Sequence, residues 1–193
     1  MEKKSDTRNC ILRDSYKLFL TNNLEKVTIV ELEQACKKIR GTIFYHFKSK
    51  QILFEEVIES LFFPSFNIPI SFTNSNLLWG DFLNIYKNPE QRVIEQIRNS
   101  YKIENPEIWY FNFVSQAYKY YPSFQEKYQL VMIKEVQFLN SILNQINTDK
   151  PLNRTEKNKI VYTILLVGIG LSFSKSFLPV PDLSLNSLLK TMY

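Results

Sequence analysis

Two short stretches of helical periodicity, set close together within Thr28–Phe47 (TIVELEQACKKIRGTIFYHF), constrain this chain more than any other feature. Thr28 and Glu31 have the spacing of a capping box. The threonine oxygen takes a free backbone N–H at the helix start, and the glutamate reaches back to the cap residue. From that cap Ile29, Leu32 and Ala35/Cys36 recur at helical spacing, which gives the first stretch one apolar face. The second opens near Arg40 and turns Ile43, Phe44 and Phe47 inward, leaving Arg40, Thr42, Tyr45 and His46 on its other face. A short helix bracing a polar-faced one across a tight turn is a helix-turn-helix layout, which suits docking of the second helix into a DNA major groove.

Charge agrees with that reading. The net charge of +5 is carried entirely by residues 1–54, which hold 11 Lys/Arg against 6 Asp/Glu, whereas residues 55–193 hold 13 of each. A phosphate-facing surface needs such an excess, and it needs it on the segment that docks.

Thr28-Ile-x-x-Leu32, the run Arg40-Gly41-Thr42-Ile43-Phe44-Tyr45-His46-Phe47 and the following Lys48-Ser49-Lys50 resemble the signature of the tetracycline-repressor (TetR/AcrR) family of bacterial regulators. The resemblance covers about Arg8 to Ile58. It implies that Arg40 and Thr42 meet base edges, where an arginine forked onto guanine supplies about 1–3 kcal/mol of discrimination. It also implies that Gly41 lets the backbone approach DNA closely, and that Tyr45, His46 and Lys50 grip phosphates. Thr28 joins them at a helix N-terminus, where an anion is favoured. The turn departs from the family pattern of Gly-x-Ser/Thr and reads Lys37-Lys38-Ile39. A non-glycine residue in a left-handed turn costs roughly 1–2 kcal/mol, and loss of a Ser/Thr cap about 0.5–2 kcal/mol more. Lys37 and Lys38 offset this only when phosphates are present.

Along the chain the first helix runs from about Asp6 to Thr21, and Asn22-Asn23 breaks it. A helix from Ser49 to about Phe63 follows the helix-turn-helix, Pro64 stops it, and Ser65–Asn76 reads as a loop. Prolines then open helices in their first turns, where a missing N–H costs little: Pro89 to about Lys102, Pro106 to about Tyr121, and Pro122-Ser123 to about Asn147. Asn153-x-x-Glu156 caps a helix reaching about Phe177, and Asp182 opens a short last one. The fold class is therefore all-α, with about nine helices. Residues 1–50 form a three-helix helix-turn-helix domain, and residues 51–193 a larger helical bundle for ligand binding and dimerisation, with 51–63 as the linking helix.

Residues 55–193 hold 22 of the 28 aromatic residues. Trp79, Phe82, Tyr86, Trp109, Tyr110, Phe113 and Tyr118 are candidate walls of a cavity for a small aromatic or apolar effector, with plain core packing as the alternative. The helix Asn153–Phe177 is apolar nearly all round and must be covered on all sides. Together with the family resemblance this marks Val161, Leu165, Gly168 and Ser172 as a homodimer seam, with Gly170 nearby, and implies a palindromic duplex operator.

Cys10 and Cys36 read as reduced thiols in a cytoplasmic protein. One histidine leaves no His/Cys zinc cluster, and no cofactor is expected. The uncharged run Ile160–Ser174 spans 15 residues, short of the roughly 20 that cross a bilayer. There is no glycine-rich phosphate loop and no nucleophile elbow, so an enzyme is the poorest reading. A ligand-responsive repressor is the first reading; a small-molecule-binding or scaffolding dimer with a decayed reading head is the second.

Overall fold

The computed structural model describes residues 2–68, 78–145 and 152–177, with side chains from Asp6 onward. Nine α-helices and no strand lie among the described residues: α1 (Glu2–Thr21), α2 (Ile29–Cys36), α3 (Arg40–His46), α4 (Lys50–Val57), α5 (Trp79–Ile85), α6 (Pro89–Tyr101), α7 (Pro106–Tyr120), α8 (Phe124–Gln145) and α9 (Arg154–Ser174). The short helix expected from Asp182, and most of the loop expected over 65–76, lie outside them. The helix α5 was not marked by any proline or cap signal.

Local sequence sets the helix starts. Thr28, Asn88 and Asn153 each close a capping box with Glu31, Gln91 and Glu156. Pro89 and Pro106 occupy first-turn positions of α6 and α7. Ser49 Oγ accepts the Ile52 N–H at 3.1 Å and starts α4.

Beyond Val57 the helix does not simply stop at Pro64. It widens into a π-turn over Ile58–Phe62, with the Phe63 N–H donating to Ile58 O, and then tightens into a 3-10 turn over Phe63–Phe66. Along an α-helix a line of residues four apart drifts by about 40° per step. The wider turn takes that drift back between Ile58 and Phe62, which are both buried, as is Phe66 at the end of the 3-10 turn. Pro64 sits in the first turn of the 3-10 segment, where it need not donate.

Two apolar clusters result. The first runs without interruption from Ile11 on α1 through Leu32, Ile43, Leu53 and Phe62 to Val93, Phe113 and Phe124. It crosses residue 50, so the helix-turn-helix region and the body share a core. Its axis is a chain of aromatic edges and faces: Phe19–Phe54 at 5.3 Å, Phe54–Phe113 at 5.4 Å, Phe113–Phe62 at 5.1 Å and Phe62–Phe124 at 5.8 Å. Each such pair adds about 0.5–1.5 kcal/mol beyond the area it buries. The second cluster joins Phe82, Leu83 and Tyr86 to Leu139, Ile142 and Leu143 of α8 and to Val161, Ile164 and Leu165 of α9.

A polar seam ties the two. Arg92 and Glu135 pair at 2.6 Å with side chains 8% and 1% exposed. Glu135 also accepts from Tyr86 Oη at 2.8 Å, and Arg92 donates to Phe66 O and Lys87 O. Beside them Glu90 accepts from Tyr128 Oη at 2.7 Å, and Tyr128 in turn meets Tyr110 Oη at 3.3 Å. Burial pushes the Glu90 carboxyl above the ordinary carboxylate range, against the lowering effect of the Tyr128 hydrogen bond.

The seam expected on α9 faces inward instead. Val161, Leu165 and Ser172 are buried in their own chain. An added Cβ on Gly168 would lie 2.5 Å from Asn88 Nδ2. That amide donates to Ser172 Oγ at 3.3 Å, and Ser172 Oγ donates to Gly168 O at 3.0 Å. Gly168 and Ser172 thus seat α9 against the cap of α6. The exposed apolar line of this helix is Tyr162, Leu166 and Phe173, continued by Phe177; Gly170 has open space where a side chain would stand.

Gly168→Ala should therefore cost about 1–3 kcal/mol, as overpacking does, and lower the thermal midpoint. Gly170→Ala should raise stability by up to about 1 kcal/mol through helix propensity. Glu90 gives a pH test. Its native form favours the proton, so its contribution is present below the unfolded carboxylate value of about 4.3 and is lost as pH rises through the raised folded value. Urea denaturation between pH 4 and 8 should show Glu90→Gln more stable than the parent at the alkaline end, the two converging at the acidic end.

Candidate nucleic-acid interface

The helices α2 and α3 are assembled from their caps. Thr28 Oγ1 accepts the Glu31 N–H at 3.2 Å, and Glu31 Oε2 accepts the Thr28 N–H at 2.7 Å and its hydroxyl at 2.8 Å. The Thr28 backbone hydrogen bond, then its hydroxyl, hold the Glu31 carboxyl below the usual range. Its charge is thereby turned inward on the cap.

The turn that departs from the family pattern closes all the same. Lys37 takes the left-handed conformation at φ 50° and ψ 40°, and Lys38 N–H donates to Glu33 O. Ile39 is the N-cap of α3 and offers no side-chain acceptor. Glu33 supplies one from α2: its Oε1 accepts the Arg40 N–H at 2.5 Å. The missing hydroxyl is replaced by a carboxylate seven residues upstream. No short-range spacing in the sequence announces this.

With Ile43 and Phe47 buried, the far side of α3 is open. Arg40 and Gly41 are exposed, Tyr45 is 69% exposed, and Thr42 and His46 are half-buried. The Arg40 guanidinium lies 5.9 Å from the Phe44 ring centroid, which holds the side chain along the helix. The His46 ring meets Tyr45 edge-on at 5.3 Å. A Cβ built on Gly41 finds nothing within 4 Å, so no packing among the described residues requires a glycine there. Thr28 is exposed and Lys38 half-buried. The fold thus brings Thr28, Lys38, Arg40, Gly41, Thr42, Tyr45 and His46 to α2, α3 and the turn between them.

Lys50 is the exception among the expected phosphate contacts. Its ammonium donates to Val27 O at 2.6 Å, Leu24 O at 2.7 Å and Glu25 O at 3.4 Å. An ammonium has three protons, and these carbonyls take them.

Residues 11–57 match the family model described as "Bacterial regulatory proteins, tetR family". Over this N-terminal region the chain is similar to DNA-binding transcriptional regulators of the tetR family. The match ends on Val57, the last α-helical residue before the π-turn. No curated protein and no solved structure gives a significant match.

In the body of the chain the seven aromatic residues expected to wall one cavity do not come together around one. Tyr110 and Phe113 are core residues of the first cluster, and Phe82 and Tyr86 of the second. Trp109 packs on the first and Trp79 on the second, while Tyr118 is 50% exposed. These side chains pack in or against the two clusters instead of enclosing one space. A groove of about 360 Å³ lies elsewhere, between the segment after α4 and α8. Phe63, Phe66, Ile68, Leu130 and Val131 give it apolar walls, and Glu59, Lys127, Lys134 and Glu135 supply the charges. Among the described residues no group of three His, Cys, Asp or Glu side chains could hold a metal ion, and no helix is long and apolar enough to cross a membrane.

The turn yields a stability test. Lys37→Gly should stabilise the protein by about 1 kcal/mol, relieving the left-handed strain, whereas Glu33→Ala should cost about 0.5–2 kcal/mol for the lost cap. Denaturant midpoints measure both.

Proposed function

We propose that this regulator is a ligand-responsive repressor that binds a palindromic duplex operator as a homodimer and is released by a small apolar or aromatic effector. The observation that carries the DNA-reading part is the open face of α3. Arg40 and Tyr45 project from a helix whose other side is packed, and Gly41 leaves room that nothing among the described residues fills. On this reading Arg40 and Thr42 contact bases, while Thr28, Lys38, Tyr45 and His46 contact phosphates. The closed turn and the Glu33 cap favour it over a decayed reading head.

Pairing is supported by α9. Tyr162, Leu166, Phe173 and Phe177, each at least 50% exposed, form an apolar line next to the open Gly170 position. A two-fold contact along that line would hold two copies of α3 on one face of the duplex, about 34–36 Å apart. We take residues 1–50 as the reading head, 51–193 as the part that pairs and senses, and the cytoplasm as its place. The groove beside α8 is the candidate effector site, because Glu59, Phe63 and Phe66 on one wall belong to the segment that continues α4. An effector acts only through a difference in affinity between the two states of the dimer.

Selection of bound fragments from random duplex DNA tests this. The expected product is an inverted repeat bound about 10³-fold or more above random sequence, with affinity that falls steeply with salt. Arg40→Ala should relax one base pair per half-site at a cost of about 1–3 kcal/mol. Leu166→Glu should give a folded monomer by sedimentation that no longer holds the repeat. A parent protein that sediments as a monomer on the selected duplex would overturn the dimer reading.

A further inference from the structure

The segment between α1 and α2 is gripped from two sides by side chains of other helices. Gln116 of α7 is 4% exposed, and its Oε1 accepts the Leu24 N–H at 2.6 Å. Its Nε2 donates to Phe19 O at 3.4 Å and to Asn22 O at 3.3 Å. That uses both amide protons and one oxygen lone pair, and a flipped amide would set donor against donor at Leu24. Asn112, one turn earlier on α7, donates to Leu20 O at 3.3 Å. From the other side, the Lys50 ammonium at the start of α4 holds Leu24 O and Val27 O. Leu24, 3% exposed, therefore has its N–H taken by α7 and its C=O by α4. Gln51 Nε2 donates to Tyr120 O at 2.5 Å and ties the two gripping helices to each other.

We propose that Gln116 and Lys50 are positioning residues for DNA reading: a clasp on residues 19–27 that fixes where the Thr28 cap, and with it α2 and α3, sits relative to the body. It rests on the DNA-reading role of α3 but assigns Lys50 a different job from phosphate contact. The alternatives predict different measurements. A phosphate contact acts equally on every sequence and appears in the salt slope. A clasp sets geometry, so it acts on the selected sequence, whose base contacts demand a fixed pose, and hardly on random duplex. The clasp also gives the body a path to the reading helices besides α4, since α7 carries Gln116 near one end and Tyr110, of the polar seam, near the other.

Two measurements on the full chain test it, each on Gln116→Met and Lys50→Met, which keep side-chain length and remove the hydrogen bonds. Hydrogen exchange should quicken at the amides of residues 22–46 in both variants and stay unchanged in α8 and α9. Unchanged exchange at residues 22–46 in either variant overturns the clasp, whether or not a duplex has been selected. In DNA titrations each variant should lose about tenfold in affinity for the selected duplex and keep random-duplex affinity within about twofold. The double variant should lose less than the product of the two, since both act on Leu24. A Lys50→Met protein that weakens on both duplexes alike, with a salt slope reduced by about one, would make Lys50 a phosphate ligand and sink the proposal. Should Gln116→Met fail to fold, Asn112→Leu serves as the α7 arm, with the same exchange result required at residues 19–27.

Discussion

Everything in this molecule leans on one run of buried rings. Phe19, Phe54, Phe113, Phe62 and Phe124 come from α1, α4, α7, the π-turn and α8, and they touch in sequence. The helices α2 and α3 have no separate core; they are the near end of a core that continues into the body. A protein interior is packed like a solid and transmits displacement. The helices α2 and α3 therefore inherit the stiffness of the body, and a change at the groove beside α8 starts in contact with Phe63 and Phe66, which belong to or pack on that core.

Polar groups do a complementary job where the rings stop. The Arg92–Glu135 pair and the Glu90–Tyr128–Tyr110 string lie among residues drawn from both apolar clusters. Buried ion pairs of this kind contribute little net stability, because desolvation offsets attraction, yet losing one partner is costly. Their effect here is to define a register: α6, α8 and the carbonyl of Phe66 meet in one arrangement only. The Gln116 amide plays the same part at the other end of α7.

Much of this was legible in the sequence, and the boundary is physical. Helix starts were legible because caps and first-turn prolines act within four residues: Thr28–Glu31, Asn153–Glu156 and Pro89 do in the fold what their spacing says. The helix-turn-helix was legible for the same reason, since a short amphipathic pair needs few distant partners. What failed was choice of face and choice of partner. On α9 both Val161/Leu165/Gly168/Ser172 and Tyr162/Leu166/Phe173/Phe177 run at helical spacing, and residue type does not say which line α8 and α6 will cover. The aromatic residues of the body were countable but not assignable, because ring pairing is decided by helices far apart in the chain. Lys50 looked like a phosphate anchor because the carbonyls that hold it lie some 23–26 residues back. Glu33 and Gln116 left no local sign at all.

Gly41 has one more consequence. It stands in α3 with open space where a side chain would be, at no unusual backbone angle. Replacing it with alanine strains nothing inside the chain and gains the roughly 1 kcal/mol that glycine forfeits in a helix. Folding alone thus favours a bulkier residue there, while the close approach to a duplex proposed above favours none. Any variant library ranked by heat resistance would drift toward filling that notch, and under the proposed DNA-reading role its winners would be sturdier molecules with a blunted grip on DNA.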